Sequence, residues 1–242
     1  MRRFVTEVIA LCAKDKRAQA DLRSGLGLPY ERCHRLHRHL VRLVPEEVQH
    51  PAGRRPYYAV AALIAARSRS AREQEDARAE ESAVNAARES AEAAALGEAT
   101  AVPVQGSAGR EDAGRDRRER VNLGASLAEA VNAGVMKPDS AESELHYMAR
   151  VGSESLNSRL PALLRQFTGR GVFLDWAVLL DDLSWWDRRQ DHIATRWLES
   201  YFRVRTAEQR RTPDGPAAPG PAHEGDGPVR GHHHNDTTEE NE

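Results

Sequence analysis

Apolar residues recur along most of this chain at helical spacing, and no segment alternates with period two, so the pattern predicts an all-α protein. Val5, Val8, Ile9 and Cys12 make the inward face of a first helix expected from Phe4 to Leu22, and Ser24-Gly25-Leu26-Gly27 supplies its stop. Cys33, Leu36, Leu40 and Leu43 predict a second helix from Tyr30 to Val44. Pro45, Pro51 and Pro56 then read as a loop, and Val60, Leu63 and Ile64 as the inward face of a third helix over Tyr57–Arg67. Further on, Leu123, Leu127, Ala130 and Val131 predict a short helix closed by Gly134. Ser140 is placed to cap the next, with Leu145, Met148 and Ala149 inward. Leu156, Leu160, Leu163, Leu164 and Phe167 continue the period, with Pro161 expected to kink or restart the helix. Trp176, Leu179, Leu180, Leu183 and Trp186 then fall on one helical face behind Asp175 as N-cap, and Ile193, Trp197 and Tyr201 mark a last helix.

The pattern lapses twice. From Ser68 to Arg120 alanine, glutamate and arginine dominate and large apolar residues nearly vanish, too little apolar surface to offset chain ordering. Ser70–Leu96 has the composition of a solvated helix, removable together with residues up to 114 without loss of the fold. After Thr206 proline, glycine and acidic residues take over. The expected organisation is two small helical bundles, at 1–67 and 121–206, with a disordered insertion over 68–120 and a disordered acidic tail over 207–242.

Charge changes this picture. The chain of 242 residues has a formal net charge of −2, which by itself speaks against a nucleic-acid protein. Its distribution is uneven: residues 1–67 carry 13 Lys/Arg against 6 Asp/Glu, whereas residues 207–242 carry 3 against 8. The regions expected to fold are therefore basic. Two cysteines are too few for a disulfide framework and sit on apolar helical faces, so Cys12 and Cys33 read as buried thiols. The start of the chain has no apolar signal region and no run is long enough to span a membrane, which predicts a cytoplasmic protein.

Candidate chemistry is sparse. Asp181 and Asp182 suggest a nuclease pair, but adjacent helical positions point about 100° apart and do not readily share a metal. His34 and His37 share a helix face without an acidic or cysteine partner at ligand spacing. His232, His233 and His234 lack fixed geometry in the tail. No phosphate loop or nucleophile elbow is present, so neither cofactor nor metal is expected. Cations are the stronger signal. Lys16, Arg17 and Arg23 crowd the end of the first helix, where the helix dipole also favours them. Arg188 and Arg189 follow the tryptophan face directly, and Trp185 lies off that face, open to base stacking. A helix-turn-helix regulator built on the Gly25–Tyr30 turn and a metal-dependent hydrolase are the competing readings.

Several stretches in order resemble one family. They are Asp15-Lys16-Arg17-Ala18 with Leu22-Arg23-Ser24-Gly25-Leu26-Gly27, Arg55-Pro56-Tyr57-Tyr58-Ala59-Val60-Ala61, Asn122-Leu123-Gly124-Ala125-Ser126-Leu127, Leu163-Leu164-Arg165, Leu174-Asp175-Trp176 and Trp185-Trp186-Asp187-Arg188-Arg189. Together they are similar to the CasB family, the small subunit of the type I-E CRISPR Cascade complex, outside the insertion and the tail. The resemblance implies a non-catalytic helical subunit, present in two copies, that contacts the other Cascade subunits with their guide RNA and the target DNA, and stabilises the R-loop. It implies nucleic-acid contacts at Arg55, Arg150, Arg165 and Arg188, and at one or more of Arg115, Arg117 and Arg118. Lys16, Arg17 and Arg23 rest on charge clustering and are open to a neighbouring protein subunit instead.

Overall fold

The computed structural model describes residues 1–48, 50–98, 120–167 and 170–211, and all regular structure among them is helical. The helices are α1 (Arg2–Lys14), α2 (Lys16–Arg23), a single 3-10 turn at Tyr30–Arg32, α3 (His34–Leu40), α4 (Pro51–Ala66), α5 (Arg69–Glu98), α6 (Leu123–Asn132), α7 (Pro138–Met148), α8 (Ser153–Phe167) and α9 (Trp176–Arg211). Residues 99–119 and 212–242, which hold most of the expected insertion's second half and the tail, lie outside the described residues.

Local chemistry explains where the elements depart from the apolar period. The expected first helix is two, because Asp15 leaves helical geometry and its carboxylate caps α2 by accepting from the backbone N–H of Arg17 and Ala18. α4 starts six residues earlier than expected. Pro51 occupies its first turn, where a missing donor costs nothing, and Pro56 is carried inside the helix. Arg55 is therefore helical, not part of a loop. Pro161 likewise sits within an unbroken α8. Lys137, not Ser140, precedes α7, whose first residue is Pro138. Gly134 ends α6 at φ 67°, with Val135 N–H bonding back to the Ala130 carbonyl at 2.9 Å; only glycine takes this left-handed turn without strain.

One continuous apolar core joins the two halves. The tryptophan arm of α9 packs chiefly on α6 and reaches α4 and α1, while α8 contacts α4. Nearly every residue read as inward-facing is buried, including Val8, Leu36, Ile64, Leu127, Leu160, Leu180, Trp186 and Tyr201. The tightest crossing is between α6 and α9, where Gly124 lies against the backbone of Trp197 and Asn122 Nδ2 donates to Ser200 Oγ at 2.8 Å.

The first turns of α5 belong to this body. Glu75 is buried, paired with Arg67, and accepts from Trp176 Nε1 at 2.8 Å. Burial pushes its carboxyl up against the pull of Arg67 and Trp176. Arg72, 2% exposed, donates to the Arg67 carbonyl at 2.6 Å, and Ala79 is buried. The segment beginning at Ser70, expected to be solvated, thus starts with three buried positions, Arg72, Glu75 and Ala79, that alanine-rich composition hides. Both cysteines are buried free thiols, and burial pushes both pKa values up.

Candidate nucleic-acid interface

The decisive local feature is a corner in α9. Arg189 has φ −139° and ψ 29°, outside helical space, so residues 176–188 and 190–211 form two arms. The arms turn back sharply. Asp182 pairs with Arg196 and accepts from Trp197 Nε1 at 2.7 Å. In a straight helix residues fourteen apart lie about 21 Å from each other, far beyond the combined reach of these side chains. The rings of Trp186 and Trp197 meet in the same way, 4.9 Å between centroids at 32°. The two helices expected around the tryptophans therefore exist, joined without a loop.

Arg188 and Arg189 occupy the apex of the corner. Both are exposed, and both guanidinium groups lie over the half-buried Trp185 ring, at 5.6 and 5.0 Å from its centroid. Trp185 is thus a seat for cations, which draws the two arginines together despite their mutual repulsion. Gln190 ties the corner to the turn between α7 and α8: its Nε2 donates to the carbonyls of Ala149 at 2.9 Å and Val151 at 3.1 Å. Trp186 Nε1 reaches the same Val151 carbonyl at 3.1 Å. Exposed Arg150, between those two residues, is thereby held next to the apex. Its Nε donates to the His146 carbonyl at 3.0 Å.

Arg55 approaches this region from α4. It lines a cleft of about 490 Å³ between the N-terminal half and α8, together with Tyr30, Arg32, Tyr58, Glu154 and Asn157. Its guanidinium donates to Glu31 at 2.9 Å. That bond raises the pKa of Arg55, with the charges of Glu154 and Asp187 adding to it against burial. Arg55 in turn holds the Glu31 carboxyl below its usual range. The carboxylates that act on Arg55 from a distance, Glu154 and Asp187, lie on α8 and on the first arm of α9.

The remaining cations are placed less compactly. Arg165 is exposed near the end of α8. Lys16, Arg17 and Arg23 are exposed on α2, which packs on α1, α3 and α4. Arg115, Arg117 and Arg118 lie outside the described residues. Sequence reasoning passed over Glu31, Gln190 and the corner itself, because a neutral or acidic residue adds nothing to a search for positive charge.

Other candidate chemistry resolves into structural bonds. Asp182, 1% exposed, serves Arg196 and Trp197. Burial pushes its carboxyl up to about 6 against their opposing pull. His37 shares a 2.8 Å hydrogen bond with the Tyr58 hydroxyl, and His39 lies 3.0 Å from Asp21, which also pairs with Arg38. Among the described residues no helix is long and apolar enough to cross a membrane.

Comparison with known proteins gives concordant results. The model of the family described as CRISPR-associated protein Cse2 matches residues 18–202. A chain of a solved CRISPR RNA-guided surveillance complex superposes with a TM-score of 0.63 at 29% identity, covering 86% of this chain and 95% of that one. A chain of a second such complex, in a pre-nicking state, gives 0.62 at 31% identity with the same coverage. No curated protein matches this chain.

Proposed function

The chain belongs to the CRISPR-associated Cse2 family, the CasB family its sequence resembles, and on that premise we propose that it is a non-catalytic small subunit of a type I-E Cascade complex that stabilises the target-DNA R-loop. It assembles with the other Cascade subunits around the guide RNA, in two copies, in the cytoplasm. The observation that carries this reading is the apex where Arg150, Arg188 and Arg189 are gathered. Arginine suits this task because its planar fork pairs with phosphate oxygens and remains charged at any physiological pH. In an RNA-guided complex sequence is read by base pairing, while protein holds strands through their backbones. Such binding is insensitive to sequence and weakens with salt as counterions are retained on the nucleic acid.

The other sites differ in how directly geometry supports them. Arg165 is exposed in the last turn of α8, at the end away from the apex. Lys16, Arg17 and Arg23, on α2, suit either a strand or an acidic surface of a neighbouring subunit. The test is charge reversal at Arg165 and Arg188 together, read in the assembled complex. Target DNA is expected to dissociate faster while assembly is unchanged. Unchanged retention in a fully assembled complex would refute this assignment of the face.

A further inference from the structure

We infer that Asp182 is a positioning residue for nucleic-acid binding: it holds the corner of α9 closed and thereby presents Arg188 and Arg189 as one unit on Trp185. The inference rests on the proposed function and deepens it. Three observations converge on it. First, one carboxylate 1% exposed bonds two residues of the opposite arm, Arg196 through one oxygen and Trp197 Nε1 through the other. These bonds exist only if the arms fold back on each other, so they act on the corner angle directly.

Second, the bracket and the cation seat are in contact. A cavity of about 20 Å³ is lined by Asp182 and Arg196 together with Trp185 and Arg189, and by Asp181, His192 and Ile193. Loss of the bracket therefore changes the lining of a cavity that Trp185 and Arg189 share. The cavity has the size of a single water site, and among the described residues Arg196 Nε is buried with no hydrogen-bond partner. Third, Arg189 is the residue that leaves helical geometry. Its backbone conformation, and so the direction of its side chain over Trp185, is set by the angle between the arms.

An alternative is that the bracket serves only stability, since the Trp186–Trp197 contact and the Gln190 bonds also hold the corner. The two roles separate in a binding experiment. The variants are Asp182→Ala with Arg196→Met, which removes both charges so that neither is stranded, and Asp182→Asn alone, which keeps the shape. Each is introduced into the full chain, assembled with guide RNA and the partner subunits, and target DNA binding is measured across a salt series. A positioning role predicts that the dependence of log affinity on log salt flattens although every surface arginine is intact. The expected change is roughly 0.7 for each single-strand phosphate that the protein no longer neutralises.

The same variants are combined with Arg188→Ala and Arg189→Ala. If Asp182 acts through these arginines, its replacement has no further effect once they are gone. A merely structural role moves the melting temperature but leaves the salt slope of the folded, assembled complex at its wild-type value, and the losses then add; that result overturns the inference. If the Arg188→Ala and Arg189→Ala changes themselves leave binding untouched, the proposed interface has failed, and the inference with it. Should the double variant not assemble, Asp182→Asn decides by the same slope and the same additivity.

Discussion

Replacing Gly124 by alanine sets two effects of opposite sign against each other. Gly124 is the second residue of α6, and alanine is favoured over glycine in a helix by up to about 1 kcal/mol. Propensity alone predicts a stabilised protein. The crossing of α6 and α9 predicts the reverse. A Cβ built on Gly124 would lie 1.8 Å from the carbonyl oxygen of Trp197 and 2.6 Å from its carbonyl carbon. Those are backbone atoms of a helix, so no rotamer change relieves the clash, and the helices must separate by more than an ångström. Overpacking costs about 1–3 kcal/mol and more where nothing flexible can yield. The separation also strains the Asn122–Ser200 bond, worth about 1 kcal/mol. Sterics win, with a net loss of about 3 kcal/mol. For a body of this size each kcal/mol lowers the melting temperature by about 2–4 °C, so a drop of roughly 6–12 °C is expected by calorimetry or circular dichroism. A Gly124→Ala protein that melts at or above the wild-type temperature would show that the helices do not approach as described.

Three other perturbations test separate parts of the account. Glu75→Ala strands the buried Arg67 guanidinium and the Trp176 N–H, and should cost about 3–5 kcal/mol in urea titration; a change under 1 kcal/mol would remove α5 from the folded body. Hydrogen bonds from His39 and Arg38 hold the Asp21 carboxyl below the usual aspartate range. A depressed acid contributes stability that is complete above its unfolded pKa and is lost as pH falls through the folded one, so Asp21→Asn should flatten the melting profile below about pH 4; an unaltered acid limb contradicts it. Glu31→Gln leaves Arg55 without its 2.9 Å partner, and severalfold tighter target DNA binding by the assembled complex is expected. Weaker or equal binding would mean that Arg55 does not compete between Glu31 and phosphate.

The helical architecture was legible because its signal is periodic and redundant. Val5, Val8, Ile9 and Cys12, or Trp176, Leu179, Leu183 and Trp186, need only be apolar at the right spacing, and the structure buries them as that spacing requires. Boundaries depend on single groups instead. Asp15 splits one expected helix into two through one side-chain cap, and Pro56 is tolerated in α4 despite its missing donor. The anchored start of α5 escaped notice because Arg72 and Glu75 are charged residues that become buried by pairing, which composition cannot distinguish from a solvated face. Within the site, Arg188 and Arg189 were legible from their place after the tryptophan face. Their stacking on Trp185 is local, at three- and four-residue spacing, whereas the fold-back at Arg189 and the bonds of Gln190 depend on contacts between distant segments. The resemblance supplied Arg150 and Arg165, which periodicity and charge runs do not single out.

The most direct test of the central claim is target double-stranded DNA binding by the reconstituted guide-RNA complex, with and without this protein, across a salt series. The account predicts that adding the protein tightens binding and lengthens R-loop lifetime, with an advantage that shrinks as salt rises. A protein that joins the complex yet leaves affinity, lifetime and salt dependence unchanged would contradict it.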